Sequence, residues 1–161
     1  MQTYNFEGVK YYESKEFFDA ECPTEQCHVE NTIFDFTKRH GFRRIIDVYK
    51  RTSGLEGYVL LHAHGSRKSQ AWSFADGKRR HNMQDFIDRH DGDALAVLLQ
   101  CCNPHKEEIS SEKSLVIHAK HNFTWLDLMR GGHLRMFIPG IGYLEDRKYA
   151  LTEAIEKLRE R

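Results

Sequence analysis

Two stretches decide how this chain is read: YVLLHAHGS at Tyr58–Ser66 and AVLLQCCNP at Ala96–Pro104. Each carries a short apolar run straight into reactive side chains, histidines in the first and cysteines in the second. An uninterrupted apolar run bounded by turn-prone residues fits a strand buried on both faces, whereas a half-exposed strand alternates. Such strands belong to sheets covered by helices, and in those sheets ligands bind just beyond the carboxyl ends of the strands. HAHGS and QCCNP both fall at that position.

Working outward, the segment HVENTIFDFTKRHG places Val29, Ile33 and Phe36 at helical spacing and predicts a helix stopping at Gly41. RRIIDVYK and GYVLLHA, separated by the turn-prone RTSGLEG, read as the first two strands because they are short and rich in β-branched and aromatic residues. NMQDFIDRH puts Met83, Phe86 and Ile87 on one face behind Asn82 as N-cap, which predicts a short helix. DALAVLLQCC and SLVIHAK follow as the third and fourth strands. In YLEDRKYALTEAIEKLRER, Leu144, Leu151, Ile155 and Leu158 form one stripe of a terminal helix. The first 27 residues carry little pattern. The alternation of strands and helices predicts one α/β domain over residues 1–161, a three-layer α/β/α sandwich with a mostly parallel central sheet.

Bulk properties narrow the function. Lys and Arg number 24 and Asp and Glu number 24, so no basic excess points to nucleic acid or a membrane surface. Apolar runs fall far short of the roughly 20 residues that span a bilayer, and MQTYNFEGVK has no signal-peptide core, so the expectation is a soluble, cytoplasmic protein. Cys22, Cys27, Cys101 and Cys102 are too sparse for a secreted disulfide framework and fit reduced thiols.

If the two opening strands are parallel neighbours, His62 or His64 at one tip comes within reach of Cys101 or Cys102 at the other. A thiol attacks only as thiolate, and a nearby imidazolium lowers its pKa while the imidazole shuttles the proton. Because strand side chains alternate, one residue of each pair is expected to face a shared cleft.

These blocks resemble the caspase-like cysteine peptidases of clan CD, and most nearly the CHAT-domain proteases. His64-Gly65 in YVLLHAHG is similar to their His-Gly element, and Gln100-Cys101-Cys102 in ALAVLLQCC is similar to their Gln-Ala-Cys, with Cys101 in the alanine place. The intervening WSFADGKRRHNMQDFIDRHDGD resembles the CHAT-type stretch in which a polar, glycine-containing turn leads to a short helix and then the cysteine strand. The resemblance spans roughly Gly57 to Asn103. It implies a caspase-like fold, His64 as general base, Cys102 as nucleophile, and the backbone N–H groups of Gly65 and Cys102 as an oxyanion hole. A residue without a side chain after the histidine lets backbone approach the substrate carbonyl. Pro104 follows Asn103 where caspases carry Arg-Gly, so substrate preference does not carry over.

Gln100, Asn103, His118 and His121 are candidates for the substrate cleft, the histidines because HAKHNFTW lies beyond the fourth strand on the same edge. No cofactor is expected, and the partner is a peptide or protein substrate. Two alternatives stand beside the hydrolase. One is a catalytically inactive caspase-like domain serving interaction or sensing among partner proteins in a defence or signalling system. The other is a metal-dependent hydrolase built on His62 and His64, completed by Cys101, His81, His90, His105, His118 or His121, although no HExxH element or acidic cluster accompanies the pair. Cys22 and Cys27 with His28 lack the second half of a zinc site.

Overall fold

A computed structural model describes residues 2–6, 9–13, 33–34, 36–38, 40–62, 64–65, 71–73, 81–100, 109–119, 134–144 and 148–160. Seven strands form one sheet in the order β1 (Gln2–Phe6), β2 (Val9–Glu13), β3 (Tyr58–His62), β7 (Ala96–Gln100), β8 (Leu115–Ala119), β9 (Leu134–Ile138), β10 (Gly142–Leu144). A second, small antiparallel sheet holds β4 (His64–Gly65), β5 (Ala71–Ser73) and β6 (His81–Asn82). Three helices are described: α1 (His40–Ser53), α2 (Met83–His90) and α3 (Lys148–Arg159).

The class is α/β, as the alternating pattern predicts, but the sheet is mixed rather than mostly parallel. Parallel pairing is confined to the centre, β2–β3–β7–β8, and both margins are antiparallel. The outermost pair at each edge, β1–β2 and β9–β10, is a hairpin. At the far edge, Ile138-Pro139-Gly140-Ile141 closes with Ile141 N–H donating to the Ile138 carbonyl at 3.0 Å. Gly140 has φ 78°, the left-handed conformation that the third residue of a Pro-Gly turn needs. Leu144, expected on the terminal helix stripe, therefore belongs to β10, and α3 begins at Lys148.

The larger correction concerns RRIIDVYK, which is helical and lies inside α1. Its β-branched residues favour a strand locally, yet Phe42, Ile45, Ile46 and Tyr49 repeat at i, i+3, i+4 and i+7 and are all buried. Arg43, Arg44, Asp47 and Lys50, on the other side of the helix, are exposed. Burial of that stripe overrides a β-propensity that spans only about 1 kcal/mol. Gly41 consequently lies in the first turn of α1 and stops nothing. A separate helical turn precedes it, where Thr37 Oγ1 donates to the Ile33 carbonyl at 2.7 Å and Lys38 N–H to the Phe34 carbonyl at 2.8 Å. The residue that ends α1 is Gly54, at φ 71°, whose N–H donates to the Lys50 carbonyl at 3.1 Å.

Register fixes two cores. Leu60, Leu98 and Ile117 stand side by side on one face and pack with Phe42, Ile45, Ile155 and Leu158 of α1 and α3. Val59, Val97 and Val116, with Leu61 and Leu99, face the other way and pack with Met83, Phe86 and Ile87 of α2. With apolar partners on both faces, Ala96–Leu99 of β7 and Leu115–Ile117 of β8 are buried at consecutive positions instead of alternate ones. Asn82 caps α2 as expected, its side-chain oxygen accepting the Asp85 N–H at 3.2 Å.

Candidate functional site at the strand ends

The expectation that YVLLH and AVLLQ run as parallel neighbours holds: Tyr58 pairs with Ala96, and the ladder continues in step to His62 opposite Gln100. The two apolar runs therefore finish at one rim. One strand further on, Leu99 pairs with His118, so β8 ends at the same level. Past His62 the chain enters the small sheet, where His64 pairs with Ser73 and Gly65 with Trp72. His64 is thus two residues beyond the end of β3 and belongs to a different sheet from β7.

Cys101, Cys102, Asn103, His105 and His121, together with Cys22 and Cys27, lie outside the described residues. His62, His64, Gly65 and Gln100 are placed by their backbone.

His118 is placed in full, and it is not an open cleft residue. It is 1% exposed, and both ring nitrogens are engaged. Nδ1 lies 2.8 Å from the Ala119 carbonyl oxygen. A carbonyl only accepts, which assigns the proton to Nδ1 and leaves Nε2 as an acceptor. Nε2 lies 2.9 Å from Tyr143 Oη, so the phenol donates to the ring. Tyr143 Oη in turn accepts the Ile109 N–H at 2.9 Å. Burial pushes the His118 pKa down to about 4, the Ala119 hydrogen bond opposing and the Arg135 charge assisting the fall. The imidazole is therefore neutral at neutral pH, as the hydrogen-bond directions require. Arg135, opposite His118 on β9, holds its guanidinium 3.8 Å from the centre of the Tyr143 ring, and Phe137 packs edge-on against that ring at 5.4 Å.

Tyr143 is the residue that sequence reasoning missed. Its usable signal was the Pro-Gly pair at Pro139-Gly140, which marks a hairpin and sets Tyr143 opposite Phe137. A second unforeseen group is Gln84 of α2, whose amide engages both backbone polar groups of one residue, Ser110. Its Nε2 donates to the Ser110 carbonyl at 2.7 Å and its Oε1 accepts the Ser110 N–H at 3.0 Å.

Of the histidines weighed as metal ligands, His90 is buried in α2 with its ring centre 4.7 Å from that of Phe86, and His118 is committed as above. Among the described residues no group of three or more His, Cys, Asp or Glu is placed to hold a metal ion. Among the described residues, too, no helix is long and apolar enough to cross a membrane. Comparison with known protein families, with curated proteins and with solved structures found no match to this chain.

Proposed function

We propose that the chain is a cysteine-dependent hydrolase acting on peptide bonds, built as a caspase-like three-layer sandwich, with His64 as general base and Cys102 as nucleophile. The observation that carries this reading is the in-step parallel pairing of β3 and β7, from Tyr58 with Ala96 to His62 with Gln100. It brings the origins of the His-Gly and Gln-Cys-Cys elements to one rim, where α/β sheets bind ligands. The commitment of both His118 nitrogens supports drawing the base from the histidines that follow β3.

In this mechanism His64 takes the Cys102 proton, and the thiolate attacks the scissile carbonyl carbon to form a carbon–sulfur bond. The developing oxyanion is held by the N–H groups of Gly65 and Cys102. The carbon–nitrogen bond then breaks, and the amine leaves with the proton from His64. Water, deprotonated by His64, attacks the acyl-enzyme; the carbon–sulfur bond breaks, and the thiol recovers its proton as the acid product departs. Gln100, Asn103 and His121 remain the candidates for contacts to substrate.

The test is labelling by a thiol-directed acylating probe. Wild-type protein should be labelled at Cys102, Cys102→Ala should not be, and His64→Ala should slow labelling by about 10²-fold or more, the usual contribution of a positioned base. Undiminished labelling of Cys102→Ala removes the assignment. A second reading, an inactive interaction domain, is favoured by the place of His64 in the small sheet, opposite Ser73. That reading expects Cys102 to react no faster than a free thiol and His64→Ala to change nothing.

A further inference from the structure

The balanced totals of 24 basic and 24 acidic residues hide a separation of charge across the sheet. α1 turns Phe42, Ile45, Ile46 and Tyr49 inward, so its outer surface carries Arg43, Arg44, Asp47, Lys50 and Arg51, all exposed. Four cations face solvent there against a single carboxylate, over about 12 Å of helix. α3 shares the core of α1 but exposes Glu153 and Glu156 against Lys157 and Arg159, so the positive stripe is α1's own. On the other side of the sheet, α2 buries Met83, Phe86 and Ile87 and turns Asp85, Asp88 and Arg89 outward, with Asp91 and exposed Asp93 following at its exit. Asp91 accepts the backbone N–H groups of Glu112, Lys113 and Ser114, which brings exposed Glu112 and Lys113 to the same end.

In chain order the outer face of α1 reads positive, positive, negative, positive, positive, and residues 85–93 read negative, negative, positive, negative, negative. Both patterns are symmetric, so the two surfaces match in sign whichever way one is laid along the other. α1 packs on the side of the sheet that bears Leu60, Leu98 and Ile117, and α2 on the side that bears Val59, Val97 and Val116, so the two surfaces cannot meet within one chain. They meet each other only between copies, and a contact between unlike surfaces is head-to-tail, leaving each copy one surface for the next. We propose that the outer face of α1 is a docking surface for a second copy of this chain, whose acidic face, formed by α2 and residues 91–93, it engages by charge. One exposed helix face is small beside the roughly 800 Å² per partner of a stable interface, so the association is weak and sensitive to salt.

The test is sedimentation velocity of the full chain over about a hundredfold range of concentration, at about 0.1 M and about 1 M salt, where charges are screened beyond about 10 Å and about 3 Å. In the lower salt the mean mass should rise with concentration past that of two chains, and in the higher salt it should return to that of one. Arg43→Gln with Arg44→Gln weakens the basic surface, and Asp88→Asn with Asp93→Asn weakens the acidic one; all four side chains are exposed, so the fold is kept. Each double variant alone should associate roughly tenfold more weakly than wild type, the loss expected from two exposed charge pairs. Mixed in equal amounts the two variants should pair, intact α1 face to intact acidic face, and stop at two chains, because the complex has no second matched pair of surfaces. Wild-type protein that stays single, stops at two chains or associates equally in both salts overturns the proposal. Variants that associate as wild type does, or a mixture that fails to pair, overturn it as well. A labelled poly(U) strand is expected not to bind; binding that Arg43→Gln with Arg44→Gln abolishes, with wild type itself single, assigns the stripe to a phosphate polymer instead.

Discussion

Lowering the pH should destabilise this protein through His118, and the size of the effect follows from its surroundings. The imidazole is buried, accepts from Tyr143 and donates to Ala119, with Arg135 nearby, so its pKa falls from 6.5 to about 4. Its folded-state value lies below its unfolded value. Between the two, the unfolded chain binds a proton that the folded chain refuses, and stability declines as pH falls. Stability is therefore complete well above pH 6.5, is lost progressively below it, and levels off once the pH passes below about 4. At about 1.36 kcal/mol for each pKa step, the full loss is about 3 kcal/mol, of which about 2 kcal/mol is gone by pH 5. That is a large share of the 5–15 kcal/mol typical of a domain. Urea unfolding measured from pH 7.5 to pH 4 gives the curve. The same series on His118→Asn removes the titrating group, so the variant should start less stable and lose about 3 kcal/mol less across the range. Parallel curves for the two proteins would refute the reasoning.

Leu98, fully buried on β7 between Leu60 and Ile117, should cost about 2–5 kcal/mol on truncation to Ala, read as a fall in the urea midpoint with little change in slope. Gly54→Ala should cost about 1–2 kcal/mol from its left-handed backbone alone, because nothing lies within 4 Å of the added methyl; Gly54→Asn should recover part of that in thermal melts. The Asp91 carboxylate accepts three backbone N–H groups, from Glu112 at 2.6 Å, Lys113 at 2.9 Å and Ser114 at 2.8 Å. Asp91→Ala should lower stability by about 2–3 kcal/mol and raise amide hydrogen exchange at those residues ahead of global unfolding.

Much of the central sheet was legible because its signal is local. The runs at 58–62, 96–100 and 115–119 are strands whose apolar character comes from burial on both faces, and their blunt ends point to one rim. Asn82 and the stripe of Met83, Phe86 and Ile87 marked α2 in the same way. RRIIDVYK misled because a window of eight residues holds β-branched side chains in a pattern that fits either period. Only with Phe42, just ahead of that window, and a sheet for the stripe to cover does the repeat Phe42, Ile45, Ile46, Tyr49 become decisive.

The sequence by itself determined the α/β class, the central strands and their polar tips, since apolar run length and turn residues are properties of neighbours along the chain. It could not determine the antiparallel margins, the departure of His64 into a second sheet, or the bond from Tyr143 to His118 and Ile109. Those depend on which groups from distant segments are buried together. The cost of leaving a buried donor or acceptor unsatisfied selects such partners, and it acts only once the tertiary structure has removed the water.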